Sequence, residues 1–201
     1  MESAAITRDA ALPPAIYRRI VIVGASGAGK SSLAAEIADI LKIPCFELDQ
    51  HANSNQPAGL QEYVRTIAGL EAWIVPADYT SIRNSLWPHA EAVIWLDYPL
   101  AFSMTRLARR EFSPGLVQKA LSKRTYTNFW SKTLTMLQTF RRSYFIHRRN
   151  RRNLKSLLQK SEYSHLVLIR FKNPSQTSSW VRYLSISCLV LAAGKTVGEE
   201  A

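Results

Sequence analysis

The octapeptide Gly24-Ala25-Ser26-Gly27-Ala28-Gly29-Lys30-Ser31 constrains this chain more than any other stretch, because it matches G-x-x-x-x-G-K-[ST] at every fixed position. Its flanks matter as much as the match. Ahead of it, Arg19-Ile20-Val21-Ile22-Val23 is a β-branched apolar run that predicts a buried strand. Behind it, Ser32 to Leu41 is rich in helix formers and sets Leu33, Ile37, Ile40 and Leu41 at helical spacing. Strand, glycine loop and helix in that order turn backbone N–H groups inward and aim a helix N-terminus at a phosphate. The glycines let the backbone approach a ligand without a Cβ in the way. The stretch therefore reads as a nucleoside triphosphate cradle running from Gly24 to Ser32, with Lys30 reaching the β- and γ-phosphates and the Ser31 hydroxyl in the Mg²⁺ shell. A merely glycine-rich turn is the competing reading, and the matching flanks tell against it.

Further apolar runs follow at intervals that fit an alternating α/β chain. Ile43 to Leu48, Ala72 to Val75, Ala92 to Leu96 and His165 to Ile169 predict four more strands, which with Arg19 to Val23 gives five. Between them, Leu60 to Leu70, Ser81 to Trp87, Pro99 to Arg110 and Pro174 to Ser185 carry helical patterns, and Leu116 to about Lys160 is mostly helical too. Strands apolar on both faces indicate a parallel sheet covered by helices on each side, a three-layer P-loop NTPase arrangement. The chain's 201 residues suffice for one such domain. Residues 1–17 read as a flexible tail, 18–185 as the domain, and 186–201 as a C-terminal extension outside the pattern.

Cys45 and Cys188 show no metal-ligand spacing and imply no disulfide framework, which fits a reducing cytoplasm; Cys45, in an apolar run, reads as a small core residue. The four histidines show no pair spacing either, so a zinc site is not expected. The N-terminus lacks a secretory apolar region, and Leu184 to Ala193 is too short to span a bilayer, so no membrane association is expected. Net charge is +11, and it is unevenly placed: Arg106 to Lys160 carries fifteen Lys/Arg against the single acid Glu111. Such a segment suits a polyanion, while a solvated helix face is the plainer reading for His147-Arg148-Arg149-Asn150-Arg151-Arg152, with nucleic acid as the less favoured alternative.

Asp49, Asp78 and Asp97 all fall at or just after carboxyl ends of predicted strands, the edge where open α/β sheets bind ligands. A carboxylate there can hold Mg²⁺ through water or accept a proton from a substrate hydroxyl. Each also fits an ordinary helix cap or turn aspartate, Asp97 most of all because Tyr98-Pro99 follows it.

Over about residues 19 to 182 the chain resembles a family of small bacterial-type P-loop kinases related to adenylate kinase, the FlaR-like "DNA topology modulation" proteins. The resemblance is carried by Arg19 to Gly24 leading into the loop, Ile43-Pro44 with Glu47-Leu48-Asp49, and Trp73-Ile74 with Tyr79. Val93 to Asp97, Phe140-Arg141-Arg142 and Arg170-Phe171-Lys172-Asn173-Pro174 add to it. It implies an ATP- and Mg²⁺-dependent kinase that moves the γ-phosphoryl group to a small acceptor, a nucleoside, a nucleotide or another hydroxyl metabolite. It also implies a helical lid, here at about 112–126, with Arg106, Arg109 and Arg110 at its entrance and Arg141-Arg142 on the returning helix. Lys30, Asp49, Arg106, Arg110 and Arg142 are the candidate catalytic residues, the arginines because a guanidinium fork matches phosphate oxygens. The acceptor would sit between Asp49, the Leu60 to Leu70 helix and Tyr79. One departure stands out. Where the family pattern reads Asp-Gly-Asn-Tyr, this chain has Pro76-Ala77-Asp78-Tyr79, so the candidate metal carboxylate beside Ser31 is Asp78, reached by a small loop shift, or else Asp49. That departure keeps open a nucleotide-binding regulatory protein without transfer activity, just as the charge keeps open a nucleic-acid-associated ATPase.

Overall fold

The computed structural model describes residues 6–8, 16–48, 57–76, 79–111, 152–154, 156 and 160–198. Strand β1 is Ile6–Arg8 and β2 is Arg19–Gly24, followed by helix α1 at Lys30–Leu41 and α2 at Pro57–Ala68. Strand β3 (Trp73–Pro76), helix α3 (Tyr79–Leu86) and strand β4 (Ala92–Leu96) come next. Helix α4 (Leu100–Glu111), strand β5 (Val167–Phe171) and helix α5 (Pro174–Gly198) complete the order. All pairings are parallel, in the spatial order β1-β5-β4-β2-β3. The strand that feeds the glycine loop therefore lies between β4 and β3, with Gly24 opposite Leu96 and Ile22 opposite Pro76.

The strands alternate strictly between two buried faces. Ile20, Ile22, Ile94, Leu96, Ile169 and Phe171 point to a layer filled by Leu33, Ala34 and Ile37 of α1 and by Trp180, Val181 and Leu184 of α5. Val21, Val23, Val75, Val93, Trp95 and Leu168 point to the other layer, against Val64 and Ile67 of α2 and Leu86 of α3. Burial on both faces is why these strands read as unbroken apolar runs.

Four of the five predicted strands, β2 to β5, join the sheet. The stretch from Ile43 to Leu48 runs beside β3 but makes one isolated parallel bridge, Cys45 to Ile74. Phe46 N donates to Ile74 O at 2.9 Å, and Ile74 N donates to Pro44 O at 2.9 Å. The rung before would need an N–H on Pro44 and the rung after an N–H on Pro76, and proline has none. Cys45 is exposed rather than a core residue. Two further corrections lie at the ends. Within the expected N-terminal tail, Ile6–Arg8 pairs with Val167 to Ile169 at the outer edge of β5. The expected extension after 185 continues α5 to Gly198, with Tyr183, Ile186, Leu189, Val190 and Leu191 exposed on it.

Candidate functional site

At the carboxyl end of β2, Gly24 lies so close to β4 that a Cβ there would stand 3.0 Å from both Leu96 Cβ and Leu96 O. The loop beyond it turns through two left-handed glycines, Gly27 at φ 80° and Gly29 at φ 96°, with Ala28 N donating to Ala25 O at 3.1 Å between them. Gly29 is also the N-cap of α1, and it brings no side-chain acceptor to the helix end. No acidic residue sits in the first turn of α1. The positive end of the α1 dipole and its leading amides thus open onto the loop with no carboxylate of the helix itself to quench them. Lys30 folds back over this turn, its Nζ donating to Gly24 O at 3.0 Å and Ala25 O at 3.3 Å. Ser31 and Ser32 are exposed on the same turn, whereas Ala28 is buried against the sheet.

Helix α4 adds the next group. Phe102 and Arg106, four residues apart on α4, share one face, and Tyr98 lies two residues ahead of the helix. Tyr98 and Phe102 meet edge to face with ring centroids 5.5 Å apart, and the Arg106 guanidinium carbon lies 5.9 Å from the Phe102 ring centre. From there Arg106 reaches the loop: a Cβ built on Gly29 would stand 2.8 Å from its Nη1. The base of the stack is anchored by a 2.5 Å hydrogen bond between the Tyr98 hydroxyl and Thr177 Oγ1 of α5. Burial pushes the Tyr98 phenol above its ordinary pKa, against smaller opposing effects of the Thr177 hydrogen bond and the Arg106 charge.

Asp97, at the end of β4, is neither a helix cap nor a metal carboxylate open to solvent. Its side chain is wholly buried, and Oδ2 accepts from Arg170 Nε at 2.9 Å and from Arg170 Nη2. Arg170 also covers the Trp95 ring at 4.8 Å.

Of the sequence-predicted site residues, Gly24 to Ser32 form one continuous turn, and Arg106 is brought against it from a helix seventy-odd residues on. Arg110 lies in α4, and nothing further is described of its side chain. Asp49, Asp78, Arg142, the lid at 112–126 and the run Arg148 to Arg151 lie outside the described residues. Sequence reasoning passed over Tyr98 and Thr177. No local signal marks either: Tyr98 precedes helix α4, and its partner Thr177 is 79 residues away. Among the described residues no three His, Cys, Asp or Glu side chains gather as a metal site. Nor is any helix among them long and apolar enough to cross a membrane. A cavity of about 480 Å³ lined by Tyr17, Arg19, His89 and Glu91 lies at the opposite, amino-terminal edge of the sheet, away from the loop.

No protein-family model matches the chain, and no curated protein matches it. Among solved structures it is similar to a shikimate kinase from Acinetobacter baumannii in complex with shikimate, with TM-score 0.47 and 15% identity over 88% of this chain and 94% of that one. A shikimate kinase from Bacteroides thetaiotaomicron gives TM-score 0.48 and 17% identity over 84% of this chain and 97% of that one. A gluconokinase from Sinorhizobium meliloti gives TM-score 0.42 and 16% identity over 90% of this chain and 97% of that one. These are small-molecule kinases, and at such values none of them assigns an activity to this chain.

Proposed function

We propose that this chain is an ATP-dependent phosphotransferase that moves the γ-phosphoryl group to a hydroxyl of a small acceptor. The observation that carries the reading is the loop itself: two left-handed glycines deliver a dipole end without a side-chain cap, and two cations, Lys30 and Arg106, lie on it. A triphosphate needs that combination, since backbone amides satisfy the inner phosphate oxygens while the cations meet the charge that develops on the outer ones. The loop residues Gly24 to Ser32 would hold the phosphates. Lys30 would exchange its bonds to Gly24 O and Ala25 O for phosphate oxygens.

Ser31, exposed on the first turn of α1, fits a Mg²⁺ ligand, and Asp78, just after β3, would be the second anchor because Pro76 cannot serve. The ion would neutralise charge between the β- and γ-phosphates. Asp49 would orient or deprotonate the acceptor hydroxyl, and Arg106, Arg110 and Arg142 would stabilise the transferring group. Membership of the FlaR-like kinases is part of this reading and rests on the sequence blocks named above.

Equilibrium binding of ATP with Mg²⁺, followed by transfer of labelled γ-phosphate to a panel of nucleosides, nucleoside monophosphates and hydroxy acids, tests it. Lys30→Ala should abolish binding or turnover. Labelling of no acceptor while ATP still binds would reduce the protein to a nucleotide binder.

A further inference from the structure

We infer that helix α5 sets the position of Arg106 over the phosphate loop through the stack Thr177, Tyr98, Phe102, Arg106, making Tyr98 and Thr177 positioning residues for a phosphate-binding arginine. The inference rests on the triphosphate reading of the loop and goes beyond it.

An arginine on an exposed helix face loses considerable rotamer freedom when held in one geometry, so something must hold it. Arg106 is exposed, and its guanidinium lies beside Gly29 with its carbon 5.9 Å from the Phe102 ring centre, within cation–π reach. Phe102 is itself set by the edge-on contact with Tyr98. Tyr98 is only 4% exposed, and its hydroxyl is tied to Thr177, which is 8% exposed. A phenol is protonated throughout the neutral range, and burial shifts the Tyr98 pKa further up, so the hydroxyl–hydroxyl bond persists there. Thr177 belongs to a helix whose Trp180, Val181 and Leu184 pack in the same layer as Leu33 and Ile37 of α1, the helix that the loop caps. Both ends of the stack are thereby referred to one rigid layer.

In a G-x-x-x-x-G-K-[ST] loop the amides at and after the last glycine face the β-phosphate, so a cation resting on Gly29 stands at the β/γ end of the ligand. Arg106 becomes the group that distinguishes a triphosphate from shorter anions, and α5 becomes part of the binding machinery without touching the ligand.

The test uses the full chain, with Kd for Mg·ATP measured by calorimetry and the melting temperature measured without nucleotide. Arg106→Ala should weaken ATP binding by about tenfold or more, as expected for a charge-assisted hydrogen bond. Tyr98→Phe and Thr177→Val should each weaken it about threefold to tenfold, and Thr177→Ser should restore it. The double variant Tyr98→Phe/Arg106→Ala should bind no worse than Arg106→Ala alone, because both changes remove the same contact. A merely structural Tyr98 would lower the melting temperature but leave ATP affinity intact, or would add its loss to that of Arg106→Ala; either result overturns the inference. Unchanged affinity in Arg106→Ala, with wild type binding ATP, overturns it and leaves the loop reading standing. Wild-type protein that fails to bind ATP overturns the loop reading and this inference with it.

Discussion

Arg170 on β5 closes on the carboxylate of Asp97 at the end of β4 while its guanidinium lies across the Trp95 ring. The pair ties two neighbouring strands together at the carboxyl edge, one strand away from the turn where Gly24 leaves β2. Asp97 is fixed from the backbone as well, its N–H donating to Phe171 O at 2.8 Å.

Removing one partner of such a pair costs more than the pair contributes, because the other is left with its charge poorly solvated. Asp97→Ala should therefore lower the unfolding free energy by about 2–4 kcal/mol. The lower end is expected because the Arg170 side chain is 23% exposed and can rehydrate. Urea unfolding of Asp97→Ala against wild type measures this, and a loss within error of zero would show that the pair holds nothing.

The two glycines at the ends of the loop should fail in different ways. Gly24→Ala places a methyl 3.0 Å from the backbone oxygen of Leu96, inside a hydrogen-bonded ladder that cannot give, and should destabilise by about 1–3 kcal/mol. Gly29→Ala meets only the far end of Arg106, which can swing aside, but it forces an alanine to φ 96° at about 1–2 kcal/mol. The larger loss of ATP affinity is expected in Gly29→Ala, since that methyl displaces Arg106 from the loop. Melting temperature and ATP Kd measured side by side separate the two; equal affinity losses would contradict the assignment of Arg106.

The +11 charge predicts nucleic acid binding that is electrostatic and weak. Duplex DNA retained at low salt should be released by physiological ionic strength, because binding through phosphate contacts alone falls steeply with salt. Replacing Arg148, Arg149, Arg151 and Arg152 by Gln should abolish the low-salt retention and leave ATP binding as it was. Sequence-selective retention at physiological salt would instead favour a nucleic-acid-associated ATPase.

The loop and strands β2 to β5 were legible because each is specified locally: φ-tolerant glycines at fixed spacing, and apolar runs that fit a sheet buried on both faces. The stretch from Ile43 to Leu48 looked the same by composition. What it lacked was two N–H groups, at Pro44 and across the ladder at Pro76, and the second of these is visible only once the strand pairing is known. Ile6–Arg8 is too short to show a period and becomes a strand by pairing with β5. The fate of Asp97 was hidden for the same reason: its partner Arg170 is 73 residues away in sequence. The lid that the family resemblance implies brought Arg106 into the candidate set, while its contacts with Phe102 and the Tyr98–Thr177 pair come only from the packing.

Tyr98 supplies a pH test of that packing. Burial raises its pKa above the usual 10.0, so the folded protein holds the phenolic proton more tightly than the unfolded chain does. The linked stability is fully present below the unfolded pKa and is lost as pH rises through the folded one, because ionisation there favours the unfolded chain. Wild type should exceed Tyr98→Phe in stability near pH 8 through the bond to Thr177, and the gap should narrow as pH is taken to about 11. Every other titrating group is common to the two proteins and cancels in the difference. A gap that stays constant from about pH 8 to 11 would mean that the Tyr98 hydroxyl meets water as readily in the folded state as in the unfolded one, contrary to a phenol sealed against α5.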